Sequence, residues 1–314
     1  MYLQHFGLRE PPFALTPDTS YFLNRAGYHD ALNVLLVALR SGEGFVKVVG
    51  EVGTGKTILC RKLVNSLGDE FVSAYIHNPF LDPLSLLKAI ADDLQISLDG
   101  VDGNHELLKR IDTRLLELNR AGKRVIVCLD EVQAMPVETL EALRLLTNLE
   151  TEKRKLLQVV LFGQPELDGV LESPSVRQLR QRITFSYRLL PMNRTGLDAY
   201  IGHRLQVAGY EGPPLFSRRA LERVFSASNG IPRLINILSH KAMMVAFGKG
   251  AKQVAAGDVR AAVDDTLRGQ TTNLSGWRVA WFRLRWLFAS VVLVVSTLVG
   301  AGLTGGISGV IGGP

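Results

Sequence analysis

The sequence predicts an α/β fold with a parallel-sheet core, a small all-α domain behind it, and an apolar helix near the C-terminal end. Three observations carry this. Between residues 26 and 191, short β-branched runs alternate with helical periodicity, the pattern of parallel strands joined by right-handed crossovers. Between residues 192 and 268 the apolar spacing is helical throughout. Finally "WLFASVVLVVSTLVGAGL", Trp286–Leu303, is 18 residues without a charge.

The opening "HFGLREPPFALTPDTSYFL" is Pro-rich, aromatic and irregular. Residues 1–25 are expected to be a segment packed onto the domain that follows. From about Gly27 to Arg40, Leu32, Leu35, Leu36 and Leu39 recur at helical spacing. "GFVKVVG" is a short strand, and "KTILCRKLVNSL" is a helix after a Gly-rich turn. "EFVSAYI" is the second strand; helices follow at Pro83–Leu94 and Glu106–Asn119. "RVIVCLDE" is a continuous apolar run ending in acids, as a buried parallel strand should look. "VETLEALRLLTNLE" is an amphipathic helix, and "KLLQVVLFG" and "RITFSYRLLP" are further strands. Beyond Pro191 the four stretches "NRTGLDAYIGHRLQVAG", "SRRALERVFSASNG", "IPRLINILSHKAMMVAF" and "AAGDVRAAVDDTL" are helices. Asn229-Gly230 marks a helix stop and Pro232 the next start. The expected organisation is a packing segment at 1–25, an α/β domain at 26–191 and a helical domain at 192–268. A linker with basic juxtamembrane residues at 269–285, a membrane helix at 286–304 and a short Gly-rich tail at 305–314 complete it.

A chain of 314 residues is long enough for two soluble domains with cores of their own. With 21% charged and 46% apolar residues, it is globular rather than disordered. The net charge of +6 permits anionic partners without naming one, and part of it sits just before the apolar run, at Arg278, Arg283 and Arg285. Cys60 and Cys128 fall in a predicted helix and a predicted strand, and read as reduced core thiols of a cytosolic domain. The six histidines show no metal-ligand spacing, and the N-terminus lacks the order of a signal peptide.

The chemistry concentrates in "GEVGTGKT", which fits G-x-x-x-x-G-K-[ST] with a strand before it and a helix after it. Its glycines let backbone N–H groups turn inward around phosphates, and the helix N-terminus adds positive potential. Gly50, Glu51, Val52, Gly53, Thr54, Gly55, Lys56, Thr57 and Ile58 are the expected nucleotide-binding residues. Lys56 would reach the β- and γ-phosphates, and Thr57 would ligate Mg²⁺. Asp130 ends the strand "VIVCLDE", where a carboxylate holds Mg²⁺ through water. Glu131 follows, placed to orient or deprotonate an attacking water, so the pair points to hydrolysis rather than to binding alone. No Asn-Lys-x-Asp tetrad for reading guanine is present, which favours ATP over GTP. Gln164, at the carboxyl edge of another strand, either contacts the γ-phosphate or the water, or simply caps a turn. Arg177, Arg180 and Arg182 cluster before the last strand. Either they form a solvated face, or Arg180 or Arg182 stabilises the transferring phosphoryl group of a neighbouring subunit. Arg233, in "NGIPRLIN", could reach back to the nucleotide or stand in solvent.

At about 1.5 Å per residue, the uncharged run would rise roughly 27 Å, close to the hydrocarbon thickness of a bilayer. Trp277, Trp281 and Trp286 lie on its approach, where interfacial aromatics belong, and the arginines before it place the N-terminal side in the cytoplasm.

These elements in this order resemble the AAA+ ATPases: Walker A, Walker B with Asp130-Glu131, a sensor-1 position at Gln164, arginine-finger candidates, and a sensor-2 arginine at Arg233 in "GIPR". The resemblance covers roughly residues 25 to 268, with Gln164 departing from the Asn or Thr common at sensor 1. A narrower one is carried by "MYLQHFGLREPPFALTPDTSYF", "GEGFVKVVGEVGTGKT", "LDEVQAMP", "LEALRLLTNLETEKRKLLQVVLFGQPEL" and "LRQRITFSYRL". Together they are similar to the ExeA/GspA family of secretion ATPases. That family reads Asp-Glu-Ala-Gln where this chain has Asp130-Glu131-Val132-Gln133. The resemblance implies an ATP- and Mg²⁺-dependent hydrolase of the bacterial inner membrane, single-pass, with its ATPase domain in the cytoplasm. It further implies a homo-oligomer that assists assembly of a type IV pilus or type II secretion apparatus, with an inner-membrane partner of the GspB kind. A peptidoglycan-binding domain is not expected in so short a tail. A DNA-handling ATPase of the transposition or replication type is the competing reading. The absence of a DNA-reading module after the helical domain, and the apolar end, argue against nucleic acid as a partner.

Overall fold

The structure, a computed structural model, describes residues 1–23, 26–101, 103–146 and 155–267 of the 314. The expected linker, membrane helix and tail at 269–314 lie outside the described residues. Within them, no helix is long and apolar enough to cross a membrane.

Five strands form one sheet: β1 (Phe45–Gly50), β2 (Phe71–Ile76), β3 (Arg124–Leu129), β4 (Leu157–Gly163) and β5 (Ile183–Leu189). All pairings are parallel, in the order β2-β3-β4-β1-β5. Every residue of β4, at the centre, is buried. Strands covered on both faces must be apolar on both, and they are. Val125, Val127 and Leu129 of β3 join one core, while Ile126 and Cys128 join the other. The first core lies under α4 (Pro83–Asp93), α5 (Asn104–Arg120) and α6 (Val137–Leu146), labels that follow chain order after α1 (Tyr2–Phe6), α2 (Ala26–Ser41) and α3 (Lys56–Ser66). The second lies under α2 and α3. Cys60 and Cys128 are both free and buried there. The thiol of Cys60 is pushed well up by its hydrogen bond to Cys128 and then by burial, so it is inert. Strand β5 is different: at the sheet edge, it leaves most of its side chains exposed. Two short helices, α7 (Glu166–Glu172) and α8 (Arg177–Gln181), lead into it.

The helical lid comprises α9 (Arg194–Val207), α10 (Arg218–Ser228) and α11 (Pro232–Gly248), with residues 256–267 also helical. Asn193 and Ser217 cap α9 and α10 through their side chains. Asn229 and Gly230, both at positive φ, end α10 as the sequence predicted. A Cβ on Gly230 would stand 2.0 Å from the Met192 carbonyl oxygen, so this chain crossing requires glycine.

The N-terminal segment is more ordered than its composition indicated and reaches further. It opens with α1, too short for a periodicity signal, and much of it lies on the lid rather than on the α/β domain. His5 Nε2 meets Ala251 O at 2.9 Å, and Arg9 N donates to Ala208 O at 2.9 Å. Arg204 of α9, only 5% exposed, donates to Pro12 O and Ala14 O, with its guanidinium 4.5 Å from the Tyr21 ring centroid. Further along, Pro17 O accepts from Arg61 of α3 at 2.8 Å. The segment thus ties the lid to the helix that starts at the phosphate loop. Replacing Arg204 by Met should lower stability by about 2–3 kcal/mol, because two carbonyls lose a charged donor inside the fold. The check is urea unfolding, where an unchanged midpoint would remove this clasp as a stabilising element.

Candidate nucleotide site

The loop between β1 and α3 is shaped by its glycines and by hydrogen bonds of its own residues. Gly53 and Gly55 have φ of 80° and 96°, the left-handed region that other residues avoid. Thr54 Oγ1 donates to Glu51 O at 2.8 Å, and the Tyr28 hydroxyl donates to Thr54 O. Lys56 Nζ lies across the loop and donates to Gly50 O at 2.9 Å and Glu51 O at 3.2 Å. Burial lowers the pKa of this ammonium, against the opposing pull of Glu131, Asp130, Glu51 and Glu166. A half-desolvated cation on a glycine-rich turn at the N-terminus of α3 is a site for polyanions.

The end of β3 faces it. Asp130, 4% exposed, accepts from Thr57 Oγ1 at 2.6 Å through Oδ2, and from the Glu131 backbone N–H at 3.0 Å through Oδ1. The Tyr75 hydroxyl approaches Oδ2 at 3.5 Å, and burial followed by the charge of Asp130 drives its pKa up. Thr57 and Asp130 therefore present two hard oxygen ligands side by side. Such a pair suits Mg²⁺, which keeps several waters and takes its remaining ligands from phosphate. Among the described residues no three His, Cys, Asp or Glu gather as a metal cage.

Glu131 has φ of 54°, unusual for a residue with a side chain. The turn aims its carboxylate at the end of β4, where Oε2 accepts from Gln164 Nε2 at 2.8 Å and from Gln133 Nε2 at 2.7 Å. Burial works to raise the pKa of Glu131, but these two amides and the charge of Lys56 outweigh it and hold it below the ordinary value. The carboxylate is kept ionised, the state a general base needs. The strand order explains the meeting: β4 lies between β1 and β3, so Gln164, just past its end, stands between the phosphate loop and the acids. Asp168 of α7 anchors that turn, receiving Lys47 Nζ at 2.5 Å and Arg188 Nη2 at 3.0 Å from β1 and β5.

The sequence-predicted residues separate into groups. Lys56, Thr57, Asp130, Glu131 and Gln164 converge. Arg233, in the first turn of α11, touches the phosphate loop directly: its backbone N–H donates to Gly53 O at 3.2 Å. A Cβ on Gly53 would lie 2.6 Å from the Cβ of Arg233. Arg180 is exposed in the last turn of α8, and Arg182 donates to Arg144 O at 3.3 Å from a position just before the edge strand. Tyr28, Tyr75 and Gln133 were not foreseen as site residues. Gln133 stood in view as the last letter of Asp-Glu-Val-Gln, but its role depends on the backbone turn at Glu131.

Residues 39–171 match the AAA domain family. The ORC2 protein of Aeropyrum pernix, in its ADPNP–ADP complexes, superposes with a TM-score of 0.62 at 19% identity, covering 81% of this chain and 71% of that one. Cdc6p of Pyrobaculum aerophilum gives 0.63 at 21% identity, over 80% and 69%. This is the α/β P-loop AAA fold. The AAA domain, with its five-stranded parallel sheet and helical lid, implies ATP binding. Beyond the fold, the chain is 45% identical over 282 residues to General secretion pathway protein A of Aeromonas hydrophila, covering 89% of this chain. It spans about half, 51%, of that relative's length. The chain is thus similar to that protein over most of its own length.

Proposed function

We propose that the chain is an ATPase whose hydrolysis drives assembly of an envelope machine. The observation that carries the catalytic half is Glu131, ionised and held between two amides beside the Lys56 loop and the Thr57–Asp130 pair. In this reading the loop and Lys56 would hold the phosphates of ATP, and Thr57 and Asp130 would hold the accompanying Mg²⁺. When bound, that ion neutralises charge on the phosphates. Glu131 takes a proton from the attacking water, and Gln164 helps to keep its carboxylate in place. Arg233 joins the site to the lid, so a change at the phosphates alters the lid's angle.

The likeness to General secretion pathway protein A supports a place in type II secretion. The finer resemblance of the soluble part, to the ATPase of mannose-sensitive haemagglutinin pilus biogenesis, supports the related task of building a type IV pilus. The uncharged run at 286–304, with arginines before it, supports a single-pass anchor in the bacterial inner membrane with the ATPase cytoplasmic. A partner of the GspB kind would receive the motion there.

Arg180 and Arg182 are proposed to complete the site of a neighbouring copy, since they stand beside the exposed edge strand of the sheet. The test is the ATPase rate of the full chain against protein concentration. Specific activity should rise with concentration and fall roughly 100-fold or more when the operative arginine becomes Ala. A flat rate, unaffected by either substitution, would remove the shared site.

A further inference from the structure

Gln133 has so far appeared only as a donor to Glu131, yet its carboxamide makes two polar contacts in the site, one through each end. It lies in the tight turn Val132–Ala134 that follows β3. Its Oε1 accepts from the backbone N–H of Gln164 at 2.9 Å, and its Nε2 donates to Glu131 Oε2 at 2.7 Å. The orientation of this carboxamide is forced. The Gln164 backbone can only donate, so the oxygen must face β4 and the nitrogen must face Glu131. A second amide, Gln164 Nε2, reaches the same Oε2 at 2.8 Å. Among the described residues, no hydrogen bond is made to the other carboxylate oxygen, Oε1.

We propose that Gln133 is a positioning residue that clips the Glu131 carboxylate to the end of β4, occupying Oε2 and leaving Oε1 to take the proton of the attacking water. This rests on the reading of Glu131 as the general base. The chemistry selects glutamine specifically. A donor and an acceptor on one rigid plane are needed to bridge a carboxylate and an N–H. Glutamate at this position would set two carboxylates against each other, and Met would fill the space while bonding to neither. The device also makes Gln164 a double participant. Its side chain holds Glu131 directly, and its backbone holds the residue that does so again. Strands β3 and β4 are thereby locked at their carboxyl ends by side chains as well as by the ladder.

The test uses the 314-residue chain and the variants Gln133→Met, Gln133→Asn and Glu131→Gln, measuring kcat and KM for ATP. With Gln133→Met, kcat should fall about tenfold while KM stays within about twofold, since an interaction of the reacting state and not of binding is lost. Gln133→Asn, too short to reach both partners, should show the same split and guards against a folding defect in the first variant. A wild-type kcat in both variants, or a loss of kcat matched by an equal rise in KM, would overturn the proposal. An inactive Glu131→Gln beside such a result overturns the clip alone. A Glu131→Gln protein that hydrolyses ATP at the normal rate overturns both the clip and the general-base reading.

Discussion

Glu131→Gln should bind ATP as the wild type does and hydrolyse it at least about 100-fold more slowly, the lower end of what a general base contributes. The geometry makes this substitution unusually clean. Oε2 accepts from Gln133 and Gln164, and an amide oxygen can accept from the same two donors. The new amide nitrogen then occupies the place of Oε1, where it cannot take a proton. The shape and contacts of the turn survive while its basicity is lost, so the defect should appear in kcat and not in KM. Single-turnover hydrolysis with an independent measure of ATP binding separates the two. A rate within about threefold of wild type would leave the proton to some other acceptor, and Glu131 would be a structural link between strands.

Lys56→Met should remove most of the response to nucleotide. In the wild type, saturating ATP at about 100 times its dissociation constant adds roughly 2.7 kcal/mol of stability. Losing a charged donor to the phosphates costs about 2–3 kcal/mol of binding, or roughly 30- to 150-fold in affinity, enough to erase most of that gain. The protein without nucleotide should behave in the opposite sense. Burial disfavours the Lys56 ammonium in the folded state, so the unfolded chain holds this proton more tightly. Stability attributable to this group therefore rises as pH climbs from the depressed value toward the ordinary lysine range. Lys56→Met should lack that rise and be no less stable than the wild type at neutral pH. Thermal unfolding with and without ATP tests both halves, and a variant that ATP still stabilises fully would show that the backbone loop alone holds the phosphates.

The parts of the site written in one short stretch were legible. Gly50–Thr57 and Asp130-Glu131 depend on local backbone geometry, and glycine spacing or an acid after an apolar run is enough to reveal them. So was Gln164, because the end of a buried strand in a parallel sheet has a predictable place. Gln133 was not, since nothing in its neighbours announces that Glu131 adopts a left-handed backbone and turns Gln133 back onto it. Tyr28 was hidden for another reason: its ring reads as one more apolar residue of α2, and only the tertiary fold delivers the hydroxyl to Thr54. The sheet order was equally invisible, because strand periodicity says which face is buried and not which strand lies beside which. In the fold, the least legible stretch was the N-terminal segment. Its aromatic residues require burial, but they do not specify the surface. Phe13 packs edge-on against Phe216 and His5 against Phe247, both in the lid.

That last arrangement has a consequence for how the protein is made. His5 and its partner Ala251 are 246 positions apart. At roughly 5–20 residues per second, a ribosome takes on the order of ten to fifty seconds to travel between them. Through most of that interval Phe6 and Phe13 lack the lid surface that will cover them. The α/β core can close meanwhile, because its strands are nearer in sequence. Joining the N-terminal segment to the lid is then a late, long-range closure, of the kind that slows folding most. A cell that makes this chain has to shelter Phe6 and Phe13 until the lid has been made.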